Sequence, residues 1–496
     1  MQSTRPINIH RSCSILPLNI EIMFMWTRFT ELVPAYGAAR RGRKPKASPY
    51  EQFRLVVLDL YTSWLEGPEN FIGIDFKNSK FPKADSRYNR NAYTRSVKPI
   101  VKAMAELGWI EMLEGEFWKA GDKSNRITRI RALDGLMCWI RPNKKHLPHL
   151  LACPNRECVV LRKTPRTPKS PFEKKQSGDV LNTEYADNEI SIRSRNILTA
   201  YNRLITNTHV DVASLEATTV AVQKMEDGEL KEKLIQINQA NKFSRRIFSR
   251  CSFEKNGRIY GGWWQNIPSN LRRSIRINGK STIEIDFNAL HPNLIYSHEL
   301  LMFHRVGNDH YDLGLIVDST YSAEMQRAWL KQLVVIAFNA KSRKTAVSVF
   351  YSECDPESTA ATLPRSYLHK LLDLFIEKHP DLETYLCHDK GIDLMRLDSE
   401  IAMYVIERLT WQGIPVLCVH DSFIVPRENY RDLWALMMLG SFEISGTPLS
   451  YKHTYYDQIP TGIGLSAEAT LIESLPEEKP CEAYWKRYAS WLESIG

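Results

Sequence analysis

The 496-residue sequence predicts an α+β protein with more than one domain, on three observations. The chain is longer than the roughly 100–200 residues of an ordinary domain. Two helical apolar periods followed by a short strand pair mark a small N-terminal module. Two apolar strands, each carrying one aspartate and far apart in sequence, mark a larger unit of antiparallel sheet and helices. Hydrophobic residues make up 43% and charged residues 25%, with 12 Trp and 21 Tyr, a composition too apolar for a mainly disordered chain.

The 66 Lys+Arg against 57 Asp+Glu leave a net charge of +9, which fits a polyanionic partner without demanding one. Two stretches concentrate the cations. One is Arg40, Arg41, Arg43, Lys44 and Lys46; the other is Lys163, Arg166, Lys169, Lys174 and Lys175, among Pro165, Pro168 and Pro171. Solvated linkers are the simpler reading of both, ahead of DNA-contacting arms. Nine scattered Cys and no signal-peptide pattern point to a reducing, cytoplasmic setting. The apolar stretch near Met23 is too short for a bilayer, so no membrane partner is expected. Cys138, His146, His149, Cys153 and Cys158 are close enough to bear on zinc, but no CxxC pair is present, and packing or surface roles are preferred.

Residues 1–47 read as a basic, disordered tail without sustained period. Residues 48–158 read as a folded module. Phe53, Val56, Val57, Leu60 and Trp64 recur at helical spacing, as do Val97, Ile100, Val101, Met104 and Leu107, with Gly108 ending the second run. Trp109–Trp118 and Arg126–Ala132 then alternate as strands. Helix, helix and hairpin resemble a winged helix, a resemblance that implies a DNA-facing second helix offering Arg90, Asn91, Tyr93, Thr94, Arg95 and Lys98. Its wing would reach phosphate through Lys119, Lys123, Arg126 and Arg129. Winged helices also serve protein contacts, so the alternative stays open.

Residues 159–185 read as a Pro-containing linker, and residues 186–470 as the larger unit, opening with helices at about 186–204 and 212–241. Residues 471–496 read as a C-terminal helix. No internal repeat is present.

Within the larger unit, KSTIEIDFNALHPNLIYS (280–297) reads as a buried strand ending at Asp286, a turn, and a helix from about Leu290. IPVLCVHDSFIVP (414–426) is an apolar hairpin interrupted by His420, Asp421 and Ser422, a polar trio that is costly to bury without partners. Two strand-borne carboxylates suit two-metal phosphoryl transfer, in polymerases and in nucleases alike.

The run NGRIYGGWWQNIPSNLRRSIRINGKSTIEIDFNALHPNLIY (256–296) resembles family A DNA polymerases, where a Gly-Arg and a Gln-Asn-Ile-Pro precede motif A. VHDSF is similar to motif C of the related single-subunit phage and mitochondrial RNA polymerases. The resemblance implies a polymerase palm with helical fingers, template-directed nucleotidyl transfer on a DNA primer–template from nucleoside triphosphates, and two Mg²⁺ ions held by Asp286 and Asp421. GNDHYDLGL (307–315) is similar to the stretch after motif A, although His310 here adjoins Asp309. In MQRAWLKQLVVIAFNA (325–340), Arg327 and Lys331 match the triphosphate-binding pair of motif B. Where the family has a Tyr, this chain has Asn339 beside Phe338, leaving base stacking by Phe338 or a rebuilt helix as alternatives. His291 occupies the position of the Glu that excludes the ribose 2′-hydroxyl, which favours deoxynucleotides. Arg258 and Gln265 match positions at the primer terminus. The helix from about Asp393 to Leu409, with Arg396, Ser399 and Glu400, matches one that contacts primer and template, and His420 falls in motif C. Glu284 is a candidate auxiliary metal ligand or an ion-pair partner.

The resemblance spans about residues 250–430, and the short interval between motifs A and C implies trimmed fingers. No exonuclease-type carboxylate cluster precedes it. Two other readings remain: a non-catalytic DNA-binding replication initiator or regulator with a degenerate palm, and a metal-dependent nuclease. The architecture suits replication of a plasmid or other mobile element.

Overall fold

The structure, a computed structural model, describes residues 4–37, 48–77, 81–115, 127–154, 156–165, 178–226, 229–298, 309–449, 451–455, 472–474 and 479–495. It is mixed α and β with mostly antiparallel sheets, and it divides into two units, Met1–Cys158 with Trp485–Gly496, and Val159–Tyr484. Among the described residues, no helix is long and apolar enough to cross a membrane.

The first unit runs through β1 (Thr4–Pro6), α1 (Leu16–Leu32), α2 (Pro34–Gly37), α3 (Pro49–Glu66), β2 (Phe71–Ile74), α4 (Val97–Glu106), β3 (Ile110–Leu113), β4 (Thr128–Ala132), α5 (Asp134–Met137) and α6 (Leu147–Leu151). Its sheet has the order β1-β2-β4-β3, with β1 parallel to β2 and the other pairs antiparallel. Ser48 caps α3 by accepting from the Glu51 amide at 3.1 Å, with Pro49 at the first helical position, where no amide donor is needed. α4 buries Val97, Ile100, Val101 and Met104; Gly108, at φ 68°, then takes the left-handed conformation that stops it.

The expected tail is corrected here. α1 buries Leu18, Ile22, Met25 and Phe29, and the Phe29 ring lies 5.0 Å from that of Phe53 in the same core. The helical period is hard to read because the outer face is apolar too: Leu16, Ile20, Met23 and Phe24 are exposed. Arg11, almost fully buried, pairs with Asp59 at 2.8 Å and donates to the Leu150 carbonyl at 2.6 Å. The basic run Arg40–Lys46 lies outside the described residues. So do Lys119, Lys123 and Arg126 of the expected wing, while Arg129 is on β4.

The second unit contains β5 (Val159–Leu161), α7 (Glu189–Thr206), β6 (Val210–Val212), β7 (Thr219–Glu226), β8 (Glu229–Gln236), β9 (Ser244–Ser249), β10 (Ser252–Gly261), α8 (Ser269–Arg272), β11 (Ile275–Ile277), β12 (Lys280–Phe287), α9 (Leu290–His298), α10 (Ala323–Asn339), α11 (Arg343–Glu353), α12 (Arg365–Lys378), α13 (Gly391–Trp411), β13 (Leu417–Val419), β14 (Ser422–Pro426), α14 (Tyr430–Ser445), β15 (Tyr451–Tyr455) and β16 (Ile472–Ser474); α15 (Glu482–Ile495) ends the chain. The main sheet has the order β13-β14-β12-β11-β6, with β15 also on β12 and β16 on β15. β5, β9 and β10 form a second sheet. A second hydrophobic core joins α10, α11 and α12 around Leu333, Phe338, Phe350 and Leu371.

Two expectations change in this unit. The start of the expected linker is β5, buried and paired with β9; Lys169, Lys174 and Lys175 lie outside the described residues. The expected helix at 212–241 is instead the hairpin β7–β8. Its strands alternate Val220 and Val222 with other residues, and the intervening sequence Asp227-Gly228 is a strong hairpin signal that outweighs the helix formers around it.

Candidate active site

β12 carries the centre of the site. Ile283, Ile285 and Phe287 alternate with Thr282, Glu284 and Asp286, so the two carboxylates share one face of the sheet. Asp286 pairs with Ser422 of β14 on one side and Lys452 of β15 on the other. His420 and Asp421 form the turn between β13 and β14, with His420 at φ 59°. The Phe287 amide donates to the Asp421 carbonyl at 3.3 Å. This hydrogen bond brings Asp421 beside Asp286 across the strand pair, so the structure brings the two predicted carboxylates together.

Their electrostatics follow from that proximity. Burial pushes the Asp286 carboxyl well above the ordinary carboxylate range, and the charges of Asp421 and then Glu284 push it further; Lys331 and Arg272 pull the other way. Glu284 is already engaged. Its carboxylate accepts from Arg272 at 3.0 and 3.2 Å and from the Ser422 hydroxyl at 2.7 Å. Of its two expected roles, the structure shows the ion pair.

No group of three or more His, Cys, Asp or Glu is placed to hold a metal ion among the described residues. Asp286 and Asp421 are therefore a two-carboxylate donor set. Hard oxygen donors in that number fit Mg²⁺, which retains waters and is commonly held by one or two carboxylates together with substrate phosphate. The repulsion that raises the Asp286 carboxyl is the charge a divalent cation would neutralise. The zinc-suggestive residues do not converge: Cys138 is exposed, Cys158 is buried, and His146 accepts or donates at 2.9 Å to the Tyr61 hydroxyl.

Beside the pair lies a second charged cluster. Arg258, on β10, reaches the Asp398 carboxylate of α13 through Nε at 2.9 and 3.1 Å and through Nη2. The Nε2 of His291, on α9, is 3.1 Å from Asp398 and 3.2 Å from Arg258. Tyr260, two residues beyond Arg258 on the same strand, packs edge-on against His420 at 5.5 Å. Burial, then the charge of Arg258, holds the His420 imidazole below its usual range, against the opposing pull of Asp421. Gln265 serves the backbone: it donates to the Ile259 and Cys418 carbonyls at 3.1 and 2.9 Å and accepts from the Gly261 amide. Arg396 is likewise taken up, by Glu400 and by the Phe253 carbonyl. Ser399 and Glu400 hold the buried Arg246, at 2.9 and 2.5 Å.

α10 supplies cations on its outer face. Lys331 is exposed, its ammonium 5.9 Å from the Tyr311 ring centroid. Arg327 is paired with Asp309 at 2.6 Å. Burial opposes ionisation of Asp309, but the hydrogen bond and charge of Arg327 outweigh it and hold the carboxyl below its usual range. Phe338 is not a stacking platform: it is fully buried in the helical core, its ring 6.1 Å from that of His291. The helical period turns it away, and the exposed face instead continues from Arg327 and Lys331 to Val335 and Asn339. His310 is buried and bonded to Asn293 at 2.8 Å.

In the first unit, the expected DNA-facing residues do not share a helix face. α4 begins only at Val97, so Arg90–Arg95 precede it. Tyr93 is buried, and Asn91 donates to the Ile9 and Arg11 carbonyls at 3.0 and 2.9 Å. The Thr94 amide donates to Gln52 at 2.9 Å. Arg90 is exposed, 4.0 Å from Glu157. Arg95 and Lys98 are exposed and, with Lys102, line one side of the helix and its entry.

Sequence reasoning missed Asp398, Arg272 and Val335. Asp398 had a signal, since it interrupts the buried stripe Leu394, Ile401, Ala402 and Val405 of α13. Val335 continues the four-residue spacing of Arg327 and Lys331. Arg272 had none.

No family model matches the chain, and no curated protein does. Among solved structures, it is similar to the POL domain of Pol1 from M. smegmatis in complex with DNA primer-template and dNTP, at 11% identity and a TM-score of 0.27. That match covers 80% of this chain and 65% of the other.

Proposed function

We propose that this chain is a nucleotidyltransferase that extends a DNA primer on a template, using deoxynucleoside triphosphates. The juxtaposition of Asp286, on β12, with Asp421, in the turn that leads into the adjacent β14, and the pull of the Lys331 charge on Asp286 support the reading most directly. Asp286 and Asp421 would hold Mg²⁺, which when bound lowers the pKa of an attacking hydroxyl and stabilises the leaving oxygen. Lys331 neutralises triphosphate charge, and Arg327 joins it on leaving Asp309. Arg258 lies on the primer side, and His291 bears on the sugar. Arg95, Lys98 and Lys102 offer cations to DNA phosphate, in a cytoplasmic protein of plasmid or other mobile-element replication.

A second reading, a DNA-binding initiator that does not polymerise, is favoured by the Arg327–Asp309 pair, which occupies one of the two motif B cations. One experiment separates the readings. Extension of a labelled primer with Mg²⁺, with dNTPs and NTPs in separate reactions, is expected from wild type with dNTPs and to be lost in Asp286→Ala and Asp421→Ala. Duplex binding without extension from either pool would establish the initiator, and Mg²⁺-dependent shortening of the primer without nucleotides a nuclease.

A further inference from the structure

Asp398 is a carboxylate on a helix face that is otherwise apolar, and it is almost completely buried. Such a charge is tolerated only when paired. Among the described residues its partners are Arg258 and His291, which come from two other elements, β10 and α9. One buried oxygen, Oδ2, therefore ties three elements together at the edge of the Asp286–Asp421 site.

The donor chemistry makes this more than a brace. Nη2 of Arg258 can only donate, and a carboxylate oxygen such as Asp398 Oδ2 accepts. His291 Nε2 lies within hydrogen-bond distance of both. With its proton on Nδ1 the imidazole accepts from Arg258; with a proton on Nε2 it donates to Asp398. A single nitrogen meets one of them at a time. The Phe338 ring stands nearly perpendicular to the imidazole, at 83°, and limits where it can go.

We infer that Asp398 is a positioning residue: it fixes Arg258 and sets the orientation and proton placement of His291 on the substrate side of the aspartate pair. The inference rests on the polymerase reading. It assigns Asp398 no contact with substrate; its effect passes through the two side chains it holds.

The test uses the full chain with Asp398→Asn, which keeps shape and removes charge. The imidazole ¹⁵N resonances of His291, assigned by their loss in His291→Gln, are expected to move. The nucleotide KM should rise about tenfold through His291, the scale of one lost charge-assisted hydrogen bond, and the primer–template Kd should rise as well through the released Arg258. Arg258→Gln/Asp398→Asn balances the charge and should recover Tm while leaving KM raised. If KM recovers together with Tm, Asp398 only balances charge and the inference is overturned. Wild type that extends primers, beside an Asp398→Asn protein with unchanged ¹⁵N signals and KM, overturns the positioning role alone. Wild type that does not extend primers removes the polymerase reading and this role with it.

Discussion

Arg327 Nε lies 2.6 Å from Asp309 Oδ2, so the cation nearest the start of α10 already has an anion. Both side chains are almost half exposed, at 45% and 42%, and a pair in that setting contributes no more than about 1 kcal/mol to stability. Asp309→Asn should therefore leave the thermal melt within a few degrees of wild type. The same change frees Arg327, and the nucleotide KM should fall by about three- to tenfold. Steady-state kinetics at fixed Mg²⁺ check this; an unchanged KM would show that Arg327 takes no part in nucleotide binding.

Asp286 makes stability depend on pH in a definite direction. Its folded-state pKa is raised by burial and by Asp421, whereas an unfolded Asp titrates near about 3.9. Its contribution to stability is thus fully present below about pH 4 and is lost as pH rises through the folded value. In EDTA, Asp286→Asn should melt above wild type at pH 8, by about 2–4 °C for each kcal/mol relieved. The difference should vanish near pH 4. Melting curves across that range decide it, and a variant less stable than wild type at pH 8 would show that repulsion between the aspartates is not the dominant effect.

Phe338 and Val335 lie three residues apart but have opposite roles. Removing the buried ring in Phe338→Ala should cost about 3–5 kcal/mol. Val335→Ala, on the exposed face, should cost less than about 1 kcal/mol yet change the nucleotide KM. Paired melts and KM measurements test the assignment; a Val335→Ala protein that is normal in KM would remove this face from the nucleotide site.

Asp59 is the anion that holds Arg11 in the first unit. Asp59→Ala leaves that guanidinium buried and uncompensated, at a cost of about 3–5 kcal/mol. Arg11→Met/Asp59→Leu, which removes both charges, should recover most of it. Denaturant titration of the two variants measures the difference, and equal losses in both would mean that shape rather than charge holds the segment.

Legibility followed locality. β12, the turn at His420–Asp421 and α10 could be read because short apolar runs with one misplaced polar residue encode them, and strand or helix period says which side chains share a face. Pairing across the sequence could not be read. Nothing local announces that Glu284 is taken by Arg272, or that Asn91 is spent on the backbone of residues 9 and 11. α1 was hidden by a different cause, apolar residues on both its buried and exposed faces. Residue type left two alternatives open at Phe338, and helical rotation, which turns that ring into the core, speaks against stacking there.

The first unit includes residues at both ends of the sequence, from β1 to the last turns of α15, where Lys144 meets Ser490 and Glu493 at 3.1 and 3.0 Å. A ribosome makes those two segments at well-separated moments of synthesis, and chains generally fold N-terminal parts first. The first unit therefore acquires its Trp485–Gly496 piece only after all of the residues of the candidate active site have been made. An interrupted translation product that contains every one of those site residues would still lack part of the other unit.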